Sequence, residues 1–179
     1  MMLPKIELLP ETVQLPTSKS LANRWLVLQA LYPNQMEVKV SDKSDDIEVL
    51  EKALISQENT IDVGHAGTAM RFLTAFLAQK EKGEFLLTGS KRMQQRPIEP
   101  LVSALNSLGA NIQYLNKEGF PPLEIIGGKL KSNPIEIDGS VSSQYISALL
   151  LIAHKLKGGL KITLTGTVVS QSYINLTVS

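Results

Sequence analysis

The sequence contains no cysteine and only two histidines. The missing cysteines exclude disulfides, thiolate metal sites and a cysteine nucleophile, and their absence is typical of a reducing compartment. His65 and His154 are far apart in sequence, so they do not favour a metal centre. The Gly-rich P-loop and dinucleotide-binding patterns are absent as well, which argues against ordinary nucleotide binding.

Strong charge bias and long apolar runs are also lacking. The net charge of +1 creates no overall field that would attract nucleic acid or an acidic membrane. The longest apolar run, YISALLLIA (145–153), is too short to cross a bilayer. Prolines and charges interrupt the first sixteen residues where a signal peptide needs continuous apolar sequence. We therefore expect a soluble, cytoplasmic protein with no nucleic-acid or membrane partner.

Three segments are apolar on nearly every side, which predicts helices buried in the protein interior. These are LANRWLVLQAL (21–31), AMRFLTAFLA (69–78) and YISALLLIA (145–153). Small or hydroxyl-bearing residues precede each one, as is typical of helix N-caps. The preceding stretches are PTSKS (16–20), GHAGT (64–68) and GSVSSQ (139–144).

The surrounding segments repeat in a similar order. A strand is predicted after each buried helix, at 36–41, 84–90 and 160–166. Amphipathic helices are predicted at 45–56 and 97–109, the second with Gly109 as its C-cap, and SYINLTVS (172–179) begins a third. Further strands are predicted at 59–64, 110–115, 122–127 and 134–139. The pattern predicts an α/β fold of three related units, the last incomplete, with buried helices inside sheets and outer helices.

Parallel buried helices would bring their N-termini together and create a site for an anion. Lys19, Arg24 and Arg71 lie near these helix starts, and Arg96 is held by Pro97 at the start of another helix. Cations at a helix N-terminus oppose the helix dipole, so their recurrence favours a bound anion. Taken singly, each basic residue also fits a solvated surface.

Five ordered motifs identify a family resemblance. They are PTSKSLANR, GHAGTAMRFL, RMQQRPIEPLVSALNSLGA, SVSSQYISALL and VSQSYINLTVS. Together they resemble the 5-enolpyruvylshikimate-3-phosphate synthase family of enolpyruvyl transferases. The resemblance implies two domains, each of three βαβαββ units with buried parallel helices. Residues 16–179 would form most of the N-terminal domain, and residues 1–15 would pack with a C-terminal domain that this chain lacks.

The resemblance also implies site residues. Those expected to bind shikimate 3-phosphate are Lys19, Ser20, Arg24, Ser142, Ser143, Gln144, Ser170 and Tyr173. Those expected to bind phosphoenolpyruvate are Lys19, Gly67, Thr68, Arg96 and Gln144. Lys19 is the expected catalytic residue within this chain. His65 departs from the usual asparagine, and SQSY (170–173) departs from Ser-Lys/Arg-Pro-Tyr.

The implied reaction transfers the enolpyruvyl group to the 5-hydroxyl of shikimate 3-phosphate by addition and then elimination of phosphate. The family uses no metal or organic cofactor and is usually monomeric. Its acid–base carboxylates lie in the other domain, so the chain alone is expected to bind substrate weakly without catalysing transfer. Two alternatives remain open: the related UDP-N-acetylglucosamine enolpyruvyl transferase, against which the absent cysteine counts, and a non-catalytic anion-binding domain.

Overall fold

The computed structural model describes residues 17–41 and 43–179, and these residues form six α-helices and six strands. The helices are α1 (Lys19–Leu31), α2 (Asp45–Ile55), α3 (Gly67–Ala78), α4 (Glu99–Ser107), α5 (Ser143–Ala153) and α6 (Gln171–Val178). The strands are β1 (Thr60–Asp62), β2 (Glu84–Thr88), β3 (Asn111–Tyr114), β4 (Leu123–Ile126), β5 (Ile135–Asp138) and β6 (Ile162–Thr165). A 3-10 turn covers Met93–Gln95.

Helices α1, α3 and α5 form the centre of the fold, as their apolar sequences predict. Every residue of α3 except Thr68 is buried, and α3 packs against both α1 and α5. A helix without a polar face is stable only when other elements surround it. The prediction of a buried helix is therefore confirmed for α3 and α5. Helix α1 buries only one face, and Leu21 and Trp25 on its other face are exposed.

The three buried helices run in the same direction. Residues at their N-terminal ends line one cleft, and residues at their C-terminal ends, including Leu31, Gln79 and Lys155, line a different cavity. Helices that begin at one surface and end at another are parallel. The helix dipoles consequently add at the first cleft.

Two sheets flank this centre. The larger has the order β1-β2-β4-β3, in which β1 and β2 are parallel while β4 pairs antiparallel with both β2 and β3. The smaller is the parallel pair β5 and β6. The order β1-α3-β2-α4-β3-β4 is one complete βαβαββ unit, and β5-α5-β6-α6 repeats its first four elements.

The outer helices bury only one stripe of residues. In α2 the buried residues are Ile47, Leu50 and Leu54, and acidic side chains occupy the exposed first turn. Helix α4 ends in a Schellman motif: Ala110 N–H donates to the Leu105 carbonyl and Gly109 N–H to that of Asn106. Gly109 has a φ of +93°, which explains why glycine follows this helix.

One predicted strand does not form. Residues 36–40 have the alternating burial of a strand, with Val38 and Val40 packed on the core, but no ladder partner lies among residues 17–41 and 43–179. Alternation in a sequence specifies which side chains are buried, whereas a strand also requires a hydrogen-bonding neighbour. The interpretation of residues 1–15 lies outside the described residues. Within the part described, no helix is long and apolar enough to cross a membrane.

Candidate functional site

The N-terminal ends of α1, α3 and α5 meet at one cleft of about 430 Å³, here called the main cleft. Its lining residues are Lys19, Ser20, Arg24, Thr68, Phe72, Arg96, Val141, Ser142, Ser143, Gln144, Val169, Ser170 and Tyr173. Three lining residues are cationic, none is acidic, and most of the others carry hydroxyl or amide groups. Helix N-termini add partial positive charge, so the main cleft is suited to an anion.

The start of α3 is the most open of the three helix ends. Ser18 caps α1 by accepting from Leu21 N–H, and Ser142 caps α5 by accepting from Gln144 N–H. The N-cap of α3 is Ala66, whose side chain accepts no hydrogen bond. The first N–H groups of α3, at Gly67 and Thr68, are therefore donors that a ligand can use. This explains why small residues precede a buried helix.

Arg24 lies at the wall of the main cleft and is only 5% exposed. Its guanidinium donates to Thr177 Oγ1 (2.7 Å), the Ser20 carbonyl (2.7 Å), Ser147 Oγ (2.8 Å) and the Tyr173 carbonyl (3.0 Å). All four acceptors are uncharged. Burial lowers the pKa of Arg24, but arginine remains protonated at neutral pH. Its positive charge is thus fixed in position without being neutralised by these partners.

Lys19 is in a different electrostatic state. Its Nζ lies 2.5 Å from Asp46 Oδ2, the first-turn carboxylate of α2, while half of its side chain stays exposed. A ligand anion that binds Lys19 must therefore compete with Asp46. Exposed pairs of this kind contribute little free energy, so the competition is weak.

Arg96 lies directly over the start of α3. A Cβ built on Gly67 would overlap the Arg96 guanidinium, coming within 2.9 Å of its Cζ. Arg96 also lines a neighbouring cavity of about 440 Å³ with His65, Arg92 and Met93, here called the His65 cavity. Arg96 therefore joins the main cleft to a second cationic space. The His65 ring is held by a 2.9 Å hydrogen bond between its Nδ1 and Ser90 Oγ.

Arg71 does not line the main cleft, although its sequence position suggested a role in anion binding. It is 3% exposed, and its Nη2 donates to the Pro97 carbonyl at 2.7 Å. Tyr145 Oη donates to the same carbonyl at 2.6 Å. Burial and the nearby Arg96 lower the Arg71 pKa, while Tyr145 opposes that shift. Arg71 thus anchors the backbone that follows Arg96.

All other predicted residues except Gly67, which lies against Arg96, also line the main cleft. Gln144 Nε2 donates to Thr68 Oγ1 at 3.2 Å and so links the first turns of α5 and α3. Ser170 caps α6 in the left-handed conformation (φ +56°) and is the only non-glycine residue with positive φ in the described part. Such a conformation is unfavourable for serine. Backbone strain of this kind often occurs at functional sites.

Several residues of the site were missed by the sequence analysis. Phe72 forms part of the lining under Arg24, with 5.6 Å between the guanidinium carbon and the ring centroid. Ser147 and Thr177 hold Arg24, and Asp46 holds Lys19. The spacing from Tyr173 to Thr177 was one available signal, since residues four apart share a helix face. No sequence signal identified Asp46, which is 27 positions from Lys19.

The fold and site together define an α/β domain of repeated units with a cationic, hydroxyl-lined cleft where parallel helices begin. The family model for EPSP synthase (3-phosphoshikimate 1-carboxyvinyltransferase) matches residues 47–179. The chain belongs to the EPSP synthase family. The family resemblance predicted from the motifs is thereby confirmed.

Relatives agree with this assignment. The chain is 52% identical over 167 residues to the 3-phosphoshikimate 1-carboxyvinyltransferase of Bacteroides fragilis (strain YCH46), covering 93% of this chain and 40% of the relative. It is 42% identical to the enzyme of the same name from Pseudoalteromonas translucida, of which it covers 45%. The chain therefore spans about two fifths of the length of these curated relatives.

Structural comparison supports the fold independently. EPSP synthase from Acinetobacter baumannii superposes with a TM-score of 0.71 over 91% of this chain and 42% of that one, at 22% sequence identity. The predicted mixed α/β architecture is confirmed by this similarity.

Proposed function

We propose that the full-length protein transfers the enolpyruvyl group of phosphoenolpyruvate to the 5-hydroxyl of shikimate 3-phosphate and releases phosphate. The observation that carries the proposal is the convergence of three helix N-termini on a cleft containing Arg24, a buried cation held only by neutral acceptors. Both substrates are multiply charged anions. A positive site of this kind would hold them together despite their mutual repulsion.

The larger substrate would occupy the side of the main cleft formed by α1, α5 and α6. Arg24 would face its carboxylate, with Ser20 beside it, and Ser142, Ser143 and Gln144 would donate to its phosphate. Ser170 and Tyr173, at the start of α6, would close this side. The supporting fact is that all seven residues line one cleft.

Phosphoenolpyruvate would lie against the start of α3. The open N–H groups of Gly67 and Thr68 would donate to one of its anionic groups, and Arg96, Lys19 and Gln144 would surround it. Arginine suits this role because its planar group can donate two parallel hydrogen bonds to a phosphate or carboxylate. Lys19 would leave Asp46 to reach the substrate.

In the addition step, the 5-hydroxyl oxygen bonds to C2 of phosphoenolpyruvate, loses its proton, and C3 gains a proton. Elimination then breaks the bond between C2 and the phosphate oxygen, and C3 loses a proton to restore the double bond. The residues of this chain would neutralise charge and hold the two substrates in contact. The carboxylates that move these protons would belong to the remaining three fifths of the protein, and no cofactor would take part.

A domain boundary follows from the same proposal. Residues 16–179 would be most of an N-terminal domain, and residues 1–15 would pack with the C-terminal domain. The 179-residue chain alone would then bind shikimate 3-phosphate weakly and transfer nothing. The whole protein would be a cytoplasmic monomer, a location with which the cysteine-free composition agrees.

The test is phosphate release by the full-length gene product supplied with both substrates, with each substrate omitted in turn as controls. Replacing shikimate 3-phosphate by UDP-N-acetylglucosamine distinguishes the related transferase. Release that requires shikimate 3-phosphate supports the proposal. Release only with the nucleotide sugar, or none with either acceptor, refutes it.

A further inference from the structure

Arg24 is held by a chain of hydroxyl groups whose hydrogen atoms can all be assigned. Thr177 Oγ1 donates to the Tyr173 carbonyl at 2.9 Å, one turn earlier in α6. A hydroxyl has a single hydrogen, so Thr177 Oγ1 must accept in its 2.9 Å contact with Ser147 Oγ. Ser147 is therefore the donor of that bond, and it accepts from Arg24 Nη2.

This arrangement turns lone pairs of both hydroxyls toward Arg24. Thr177 Oγ1 accepts from Arg24 Nε and Ser147 Oγ accepts from Nη2. Together with the carbonyls of Ser20 and Tyr173, they engage four of the five guanidinium hydrogens. One Nη1 hydrogen is left for a ligand, so the direction in which Arg24 can bind is fixed by its own partners.

The neutrality of these partners has a chemical consequence. A carboxylate in place of either hydroxyl would hold Arg24 equally well but would cancel most of its charge. Hydroxyls fix the guanidinium while leaving its charge available to an anion. Lys19 provides the contrast within the same cleft, because its charge is already paired with Asp46.

We infer that Ser147 and Thr177 are positioning residues that hold Arg24 for the acidic group of the larger substrate and so set the affinity of the main cleft for that substrate. Neither residue lines the main cleft, so both act through Arg24. They lie on α5 and α6, and Arg24 lies on α1. The hydroxyl pair thus joins the third unit of the fold to the first at the substrate site. This inference rests on the proposed function.

The experiment uses steady-state kinetics of the full-length protein carrying Ser147→Ala or Thr177→Val. Each change removes one hydrogen bond to a charged group, and we expect the KM for shikimate 3-phosphate to rise about tenfold. The KM for phosphoenolpyruvate should change by less than about twofold, because its proposed ligands are untouched. Ser147→Thr retains the hydroxyl and should restore the KM.

Thr74→Val is the matched control. Thr74 is fully buried in α3, and its hydroxyl donates to the Met70 carbonyl at 2.7 Å and is not one of the acceptors of Arg24. The Thr74→Val change removes the same hydroxyl group as Thr177→Val, so thermal denaturation should show any general loss of stability in both variants. The KM for shikimate 3-phosphate should rise only in the variant that loses a hydrogen bond to Arg24.

An unchanged KM for shikimate 3-phosphate in both variants overturns the inference, as does an equal rise in the Thr74→Val control. Equal rises in the KM values of both substrates would also overturn it, since they would indicate a general distortion of the cleft. Absence of transfer in the unaltered protein would instead refute the proposed function. The two failures are thus distinguishable.

Discussion

Arg96 occupies the space into which a side chain on Gly67 would extend. The guanidinium lies against the first residue of α3, where any Cβ would overlap it. The family resemblance predicts that both residues bind phosphoenolpyruvate, but only the structure reveals that a side chain at position 67 and the Arg96 guanidinium exclude one another.

The first prediction concerns Gly67→Ala. The added methyl group contacts the flexible end of the Arg96 side chain and not the backbone. The free energy of unfolding should therefore change by less than about 0.5 kcal/mol. Displacing Arg96 should raise the KM for phosphoenolpyruvate about tenfold in the full-length protein. Gly128→Ala is the control, because a Cβ there meets no atom within 4 Å. Equal KM values in the two variants would contradict the prediction.

The second prediction concerns Arg96→Ala. Removing the exposed arginine should lower kcat/KM for phosphoenolpyruvate roughly 100-fold while thermal stability stays nearly constant. Lys91→Ala removes an exposed charge from the same segment and should have little effect. Arg96→Lys should recover only part of the loss, because an ammonium cannot donate two parallel hydrogen bonds. Unchanged kinetics in Arg96→Ala would assign the residue to the solvated surface.

The third prediction concerns the double change Ser142→Ala and Ser143→Ala. Calorimetry should record roughly tenfold weaker binding of shikimate 3-phosphate, because two hydroxyl donors are lost. Loss of the Ser142 cap should also reduce the free energy of unfolding by about 1 kcal/mol. Ser103→Ala, an exposed site on α4, serves as the control. Unaltered affinity would refute the role of these serines.

The fourth prediction separates stability from binding at Ser170. Glycine adopts the left-handed conformation readily, so Ser170→Gly should raise the free energy of unfolding by about 1 kcal/mol. The same change removes the hydroxyl and should weaken binding of shikimate 3-phosphate. Chemical denaturation and calorimetry of one preparation measure both effects. A destabilised variant, or one with full affinity, would contradict this expectation.

The fifth prediction is a pH dependence caused by His154. Its ring stacks on Tyr32 at 5.0 Å between centroids, and burial, with a smaller effect of Lys155, lowers its pKa from the ordinary value of 6.5. The unfolded chain therefore binds a proton more readily than the folded one. The stabilisation linked to the neutral His154 ring is therefore complete above pH 6.5. It is lost as the pH falls below 6.5 toward the lower pKa of His154 in the folded protein.

Replacing His154 by glutamine removes the titrating group, and that part of the pH dependence should vanish. Denaturation measured between pH 5 and pH 8 on both proteins checks this. Parallel stability curves for the two proteins would show that His154 does not contribute. The unaltered protein and the His154→Gln variant should have the same KM for each substrate, because His154 does not line the main cleft.

Most of the fold could be predicted from local sequence. Continuous apolar segments correctly located α1, α3 and α5, because burial depends on the apolar residues of the segment itself. The residues before each segment predicted the side-chain caps of α1 and α5, whereas the N-cap of α3, Ala66, provides none. Residues 36–40 were predicted less well. Their alternation indicated which side chains face the core, but strand formation depends on a partner distant in sequence.

The lining of the main cleft was predictable in outline, since the motifs placed the eleven named residues at the starts of α1, α3, α5 and α6 and in the loop before α4. The residues that hydrogen-bond to Arg24 and Lys19 could not be predicted. Arg24 and Thr177 are 153 positions apart, and only the packing of α1 against α6 brings them together. Arg71 is the opposite case. Its position near the start of α3 predicted that it binds an anion, but its side chain is buried and donates to the Pro97 carbonyl instead.

The two-stranded sheet has a practical consequence for anyone producing this chain in isolation. Strands β5 and β6 pair with each other along one edge, and neither has a second neighbour within residues 17–41 and 43–179. The unpaired N–H and C=O groups of an edge strand can form hydrogen bonds with a strand of another copy of the chain. Copies of the 179-residue chain should therefore associate through these edges at high concentration, and a lysine at an exposed position of β6 would be a suitable solubilising change.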